Sequence, residues 1–200
     1  VLTCRWGDLE ASIRLERKNP DSLVINLPFN EYAHAFYYNH KINCMTAEGF
    51  VKNADKEWHF EKDSSFGILD WGRGVWPFHN EWYWSNGEIF GFNLGCGFGN
   101  TDTASENILF YKGKSHKLGK VDFTLGKEYL DPWHLTDKEG RLDLTLTPMY
   151  DRTTRIKLLW VNNCCHQMFG TFTGKATLDD GTTLEINNII SFAEHAVNNW

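Results

Sequence analysis

The sequence predicts an all-β protein of many antiparallel strands, and three observations carry that expectation. Apolar and polar residues alternate at period two, turn dipeptides separate the alternating runs, and no run keeps apolar residues at i, i+3, i+4 and i+7. Side chains along a strand point to opposite faces in turn, so such alternation describes a sheet with one buried and one wet face.

Ile13 and Leu15 alternate with Arg14 and Glu16. The stretch 70–87, DWGRGVWPFHNEWYWSNG, holds four of the nine tryptophans. It reads as a glycine-permitted turn through Trp71-Gly72-Arg73-Gly74, then a strand from Asn80 to Ser85. On that strand Trp82 and Trp84 share one face, and Glu81, Tyr83 and Ser85 share the other. Asn86-Gly87 is a turn dipeptide. Gly95, Gly97 and Gly99 alternate and leave room on one strand face, as packing partners for the tryptophans. Val121, Phe123 and Leu125 alternate with Asp122 and Thr124. Asp131-Pro132-Trp133-His134 reads as a turn at a strand end. After Glu139-Gly140, Leu142, Leu144 and Leu146 alternate with Asp143, Thr145 and Thr147. Tyr150-Asp151-Arg152 marks a strand exit from which side chains can reach a cavity mouth. Asp180-Gly181 joins 176–178 to 184–186 as a hairpin. Only 151–158 and the surroundings of Glu194 leave room for a short helix.

Composition removes several functional classes. A chain of 200 residues buries about 70% of its unfolded surface without staples. A net charge of −6 with pI near 5.7 argues against nucleic-acid or anionic-membrane surfaces. The basic run Lys112 to Lys120 is short and hairpin-like, a solvated turn. Neither a secretory leader nor a membrane-spanning apolar run is expected from these residues. The five cysteines, two of them adjacent at Cys164 and Cys165, lack zinc or disulfide spacing and read as reduced thiols of a cytoplasmic protein. No phosphate loop, dinucleotide fingerprint, nucleophile elbow or histidine metal motif occurs. No cofactor, metal or nucleic-acid partner is expected.

A weak internal echo runs through the chain. Gly49 begins GFVKNADKEWHFEKDSSFGILDWGRGVW and Gly174 begins GKATLDDGTTLEINNIISFAEHAVNNW. In each, a glycine, a polar turn and a strand lead to Ser-Phe, an acid and a final tryptophan. Two related hairpins would put Asp70-Trp71 and Glu194-His195 in comparable places.

The run Asp70-Trp71-Gly72-Arg73-Gly74-Val75-Trp76-Pro77 followed by Trp82-x-Trp84 resembles an uncharacterised bacterial domain-of-unknown-function family. So does the closing Gly170…Gly174…Asp180-Gly181…Phe192-Ala193-Glu194-His195…Trp200. That family is lipocalin-like and distantly similar to AttH proteins and to carotenoid hydratases of the hydroxyneurosporene synthase type. The resemblance implies lipocalin-like antiparallel β-barrels or half-barrels, with the echo pointing to two related copies. The first would span 1–90 and the second 91–200. Members are usually longer, so an N-terminal piece is expected ahead of this chain. Carotenoid hydratases end in acidic-His-x-Trp; here Glu194-His195 matches the pair, but Ala196-Val197 follows and the next tryptophan is Trp200.

The candidate site follows from these parts. Asp70, Glu194 and His195 are the candidate catalytic groups, of which His195 is the one expected to face a barrel interior. Trp71, Arg73, Trp76, His79, Glu81, Trp82, Trp84, Tyr150 and Trp200 are the candidate ligand contacts. Asp70 and Arg73 also suit an ion pair closing the Trp-Gly-Arg-Gly turn. The leading expectation is a protein that encloses a hydrophobic small molecule, with hydratase- or cyclase-like chemistry in which an acid protonates a double bond and tryptophan faces stabilise the cation. Carbohydrate binding or glycoside hydrolysis, and a ligand-free structural domain, are the alternatives. Oligomeric state is left open.

Overall fold

The computed structural model describes residues 1–87, 90–102 and 104–200, and all regular structure among them is strand. The first sheet holds β1 (Leu2–Trp6), β2 (Leu9–Glu16), β3 (Leu23–Pro28), β4 (Phe36–Asn53), β5 (Lys56–Phe60) and β6 (Phe66–Val75). Its order is β1-β2-β4-β3, with β5 and β6 also pairing with the long β4. The second sheet holds β7 (His79–Gly87), β8 (Gly91–Cys96), β9 (Ile108–Tyr111), β10 (Lys114–Lys117), β11 (Val121–Thr124), β12 (Trp133–Asp137), β13 (Leu142–Leu158), β14 (Val161–Thr177) and β15 (Thr183–Asn199). Its order is β10-β9-β8-β7-β15-β14-β13-β12-β11, and β11 returns to the side of β8. The chain thus makes two curled half-barrel sheets, a lipocalin-like all-β fold. It passes from one sheet to the other between Val75 and His79.

The main core fills the concave side of the second sheet. Leu142, Leu144 and Leu146 meet Phe92, Leu94, Met168, Phe172 and Trp133, all essentially inaccessible. Trp133 is therefore a core residue of β12, with its indole N–H donated to the Tyr129 carbonyl at 2.9 Å, and not part of a turn. The first sheet lies on the other side of β7–β9. There Ile25, Leu27, Phe29 and Tyr37 pack with Trp76 and Phe98, and Leu23 packs with Ile108 and Phe110.

Four expectations change on the sheet. Asn86 and Gly87 pair with Asn93 and Phe92 as the last residues of β7 and are strand, not turn. Residues 70–75 continue β6 as a strand against β4 and form no turn. Asp70 and Arg73 are three apart on that strand and face opposite sides, so no ion pair joins them; Lys41, directly across from Asp70, takes its place. Residues 151–158 and 194 lie in β13 and β15, where pairing to β14 supersedes any helical preference.

The echo has a structural counterpart. Gly49 and Gly174 have φ of +138° and +135°. A Cβ there would sit 2.0 Å from the Ser12 carbonyl oxygen and 2.1 Å from that of Asp143, respectively. Only glycine permits this approach of strand on strand. Each glycine lies between two partner strands, Ile13 and Phe60 flanking the first, Leu144 and Ile186 the second. Farther along, Lys41 pairs with Asp70 and Gln167 with Glu194. Both acids thus arrive opposite a polar side chain of the long central strand.

Candidate functional site

A cavity of about 250 Å³ lies between the two sheets. Strand parity decides its walls. From β4, alternate residues Tyr37, Asn39 and Lys41 point in; from β6 Asp70; from β7 Trp82 and Trp84; from β15 Glu194. Trp76, Phe98, Glu106 and Trp200 come from segments outside the strands.

One end is aromatic. The Phe98 ring meets Tyr37 edge-on at 4.7 Å, Trp82 at 5.0 Å and Phe29 at 5.1 Å, with Trp76 tilted at 6.4 Å. Such pairs each contribute about 0.5–1.5 kcal/mol beyond their burial. Trp200, 45% exposed, stands at the mouth.

The other end is charged. Lys41, 2% exposed, places Nζ 2.7 Å from Glu106 Oε2 and 3.6 Å from Asp70 Oδ2, and lies 4.2 Å over the Trp84 ring. One ammonium faces two carboxylates, so this group carries a net negative charge and favours a cation beside it. Asn39 donates Nδ2 to Asp70 Oδ1 at 2.7 Å. Its own Oδ1 is buried without a protein partner, an unsatisfied acceptor in the cavity wall. Asn93 holds the back wall, accepting the Trp84 indole N–H at 2.8 Å and donating to Glu106 Oε2 at 3.2 Å. Gly95 stands directly across from Trp84 in the β7–β8 register, and a Cβ there would sit 2.5 Å from Glu106 Oε1, so the carboxylate also uses the space it leaves. Gly97 and Gly99 lie beyond the end of β8.

Glu194, 8% exposed, is buried, as Glu106 is across the cavity. Its Oε1 accepts the Trp82 indole N–H at 2.9 Å and its Oε2 the Gln167 amide at 3.1 Å. Burial raises the carboxyl above its ordinary value, against the lowering effect of those two donors and of Lys41. A carboxyl so held keeps its proton to higher pH than a solvated one and can donate it. Beside it the Cys165 thiol is pushed up to about 12, first by burial and then by Glu194; it is no ready nucleophile.

Asp70, Glu194, Trp76, Trp82, Trp84 and Trp200 are thus brought together. Trp71 and Arg73 lie on the outer face of β6, Trp71 edge-on to Tyr38 at 5.9 Å. His79 is exposed and shares a hydrogen bond with Asn199 at 2.9 Å. Tyr150 is 62% exposed beyond a bulge in β13. His195 sits on the reverse face of β15 from Glu194. Its Nε2 meets Glu81 Oε1 at 2.7 Å, its Nδ1 meets the Tyr129 hydroxyl at 2.8 Å, and its ring stacks on Tyr83 at 4.2 Å. Tyr129 in turn stacks on His166, which pairs with Asp151 at 2.8 Å. Among the described residues no cluster of His, Cys, Asp or Glu is arranged to hold a metal ion.

Lys41, Glu106, Asn39, Tyr37 and Phe98 complete the cavity and were not visible from the sequence. The first four belong to polar or mixed runs that read as wetted surface until a second sheet covers them. The period-two series Tyr37, Asn39, Lys41, Asn43 is the one trace: four residues able to hydrogen-bond on a single strand face.

Residues 2–200 match the family model described as a domain of unknown function, DUF2804. No curated protein matches the chain in sequence. Its fold is similar to the crystal structure of kievitone hydratase from Nectria haematococca, with a TM-score of 0.57 and 10% identity, over 98% of this chain and 63% of that one. The chain therefore spans less than two thirds of that protein's length, and the likeness is one of fold.

Proposed function

We propose that this chain, which belongs to the DUF2804 family, encloses an apolar small molecule bearing a carbon–carbon double bond and adds water across it. The observation that carries the reading is Glu194, a buried carboxyl fixed by Trp82 and Gln167 in an aromatic cavity, where burial raises its hold on a proton. The fold likeness to a protein named as a hydratase supports it.

In this reading Glu194 gives its proton to one alkene carbon, the π electrons forming the new C–H bond. The cation left on the other carbon lies among the faces of Trp76 and Trp82, the Trp84 ring being covered by Lys41, and beside the net negative Lys41, Asp70 and Glu106 group. Cation–π contact of this kind is worth about 2 kcal/mol or more once water is excluded. Water adds to the cation and loses its proton to Asp70, which Asn39 and Lys41 hold in place; a proton then returns to Glu194 through solvent. The cavity is smaller than the usual ligand pocket of about 300–1,000 Å³, which suits a single isoprenoid unit or one end of a longer molecule that passes Trp200.

The test is incubation with isoprenoid-type alkenes in ¹⁸O-labelled water, followed by mass spectrometry of the alcohol. Label should enter with the native chain and not with Glu194→Gln or Asp70→Asn. Undiminished labelling in Glu194→Gln, or failure of every apolar ligand to quench the cavity tryptophans, overturns the reading.

A further inference from the structure

The β13–β14 hairpin ends in a feature that the fold itself does not use. Its two-residue turn, Leu159-Trp160, is preceded by Leu158 and followed by Val161. Leu158, Leu159 and Trp160 are 68%, 78% and 69% exposed. Leu159 has φ of +54°, a conformation that disfavours branched side chains and suits glycine at the first position of such a turn. A strained leucine beside an exposed tryptophan costs the folded protein twice, with no packing in return.

Charge on the hairpin also departs from the rest of the chain. Between Arg152 and Met168 the sequence holds Arg152, Arg155 and Lys157 and not one Asp or Glu, in a protein of net charge −6. The register sorts these residues by face. Ile156 and Leu158 lie opposite Asn163 and Val161 on one side, while Arg155 and Lys157 lie opposite Cys164 and Asn162 on the other. All of residues 152–160 are exposed. A bulky apolar tip, an apolar face and flanking cations together match the surface of an anionic bilayer. Leucine and tryptophan enter the headgroup boundary, and long basic side chains reach back to lipid phosphates.

We propose that this hairpin docks the protein on anionic membrane surfaces, with Leu158, Leu159 and Trp160 entering the lipid and Arg155 and Lys157 holding its headgroups. A chain-wide negative charge does not oppose this, because charges farther than a Debye length of roughly 8 Å are screened at physiological salt. The tip projects from the end of the sheet where Asn162 faces Asn199 and Asn199 faces His79. At that same end Trp200 N–H bonds the Phe78 carbonyl at 3.1 Å and Trp200 lines the cavity mouth. A bilayer seated on the tip would therefore lie beside the mouth and could deliver an apolar ligand. That consequence rests on the cavity reading above, whereas the docking does not.

The test is co-sedimentation of the intact protein, without any ligand, with vesicles of phosphatidylserine and phosphatidylcholine in equal parts, and with phosphatidylcholine alone. Leu159→Gly with Trp160→Asn removes the apolar tip and keeps a turn that this backbone favours, so folding is retained and is checked by thermal melting. Arg155→Gln with Lys157→Gln removes two cations. The native protein should sediment with the anionic vesicles and far less with phosphatidylcholine. The tip variant should lose most binding, and the charge variant about five-fold for each cation removed. No sedimentation with anionic vesicles, or binding unchanged in both variants, overturns the proposal. So does a tip-dependent dimer in ultracentrifugation without lipid binding. Glu194→Gln should sediment as the native chain does, so failure of docking and failure of the cavity chemistry remain distinguishable.

Discussion

Glu194 and His195 are neighbours in sequence and belong to different environments. The Glu194 carboxyl accepts the Trp82 indole N–H at 2.9 Å between the two sheets. The His195 ring, on the reverse face of the same strand, is held by Glu81 at 2.7 Å and Tyr129 at 2.8 Å. One strand therefore presents a buried acid to a cavity and an imidazole to a polar cluster behind it.

The acid should leave a mark on stability. A carboxyl raised by burial binds its proton more tightly in the folded chain than in the unfolded one. Its contribution is complete below the unfolded value and is lost as pH rises through the folded one. Thermal melts taken from acid to neutral pH should show Glu194→Gln gaining on the native chain as pH rises, and matching it most nearly in acid. A constant difference across the series would show that the native carboxyl is not destabilised by its burial.

Lys41 should be needed for more than the site. Lys41→Met leaves Glu106 and Asp70 without their cation and should cost about 3–5 kcal/mol in urea denaturation. Adding Glu106→Gln to that change should recover part of the loss, since it removes the carboxylate left 11% exposed. A double variant weaker than the single one would contradict the assignment.

The two glycines of the long strands should behave alike. Gly49→Ala and Gly174→Ala each force a Cβ onto a neighbouring carbonyl oxygen at positive φ. Each should cost at least ~2 kcal/mol, measured by chemical denaturation. If one is tolerated and the other is not, the equivalence of the two hairpins fails at that position.

The face behind the cavity should be separable from it. Tyr129→Phe removes the hydroxyl that meets His195 and should cost about 1 kcal/mol of stability. Quenching of the cavity tryptophans by an apolar ligand should be unchanged. A large fall in ligand affinity would instead couple the two faces through β15.

Strand identity was open to reading because alternation is a local property. Leu142, Leu144 and Leu146, and the Trp82/Trp84 face, need only the pleat to be assigned. The paired glycines and the two acids were likewise visible as a repeat. The cavity's cation was not: Lys41 follows His40 in a run that looks solvated, and nothing local shows that a second sheet covers it. Trp71 and Arg73 shared a motif with Asp70, yet strand parity sends them outward.

The amino-acid sequence by itself determined the all-β class, the turns at Glu139-Gly140 and Asp180-Gly181 and which residues share a strand face, since each depends on a few consecutive side chains. Tertiary structure alone decided which face is buried and by what. Curling the second sheet puts His195 on the core side of β15, and stacking the first sheet against its back traps Glu194 with Lys41, Asp70 and Glu106. Burial depends on the packing of two sheets far apart in sequence, and that packing raises the proton affinity of an otherwise ordinary glutamate.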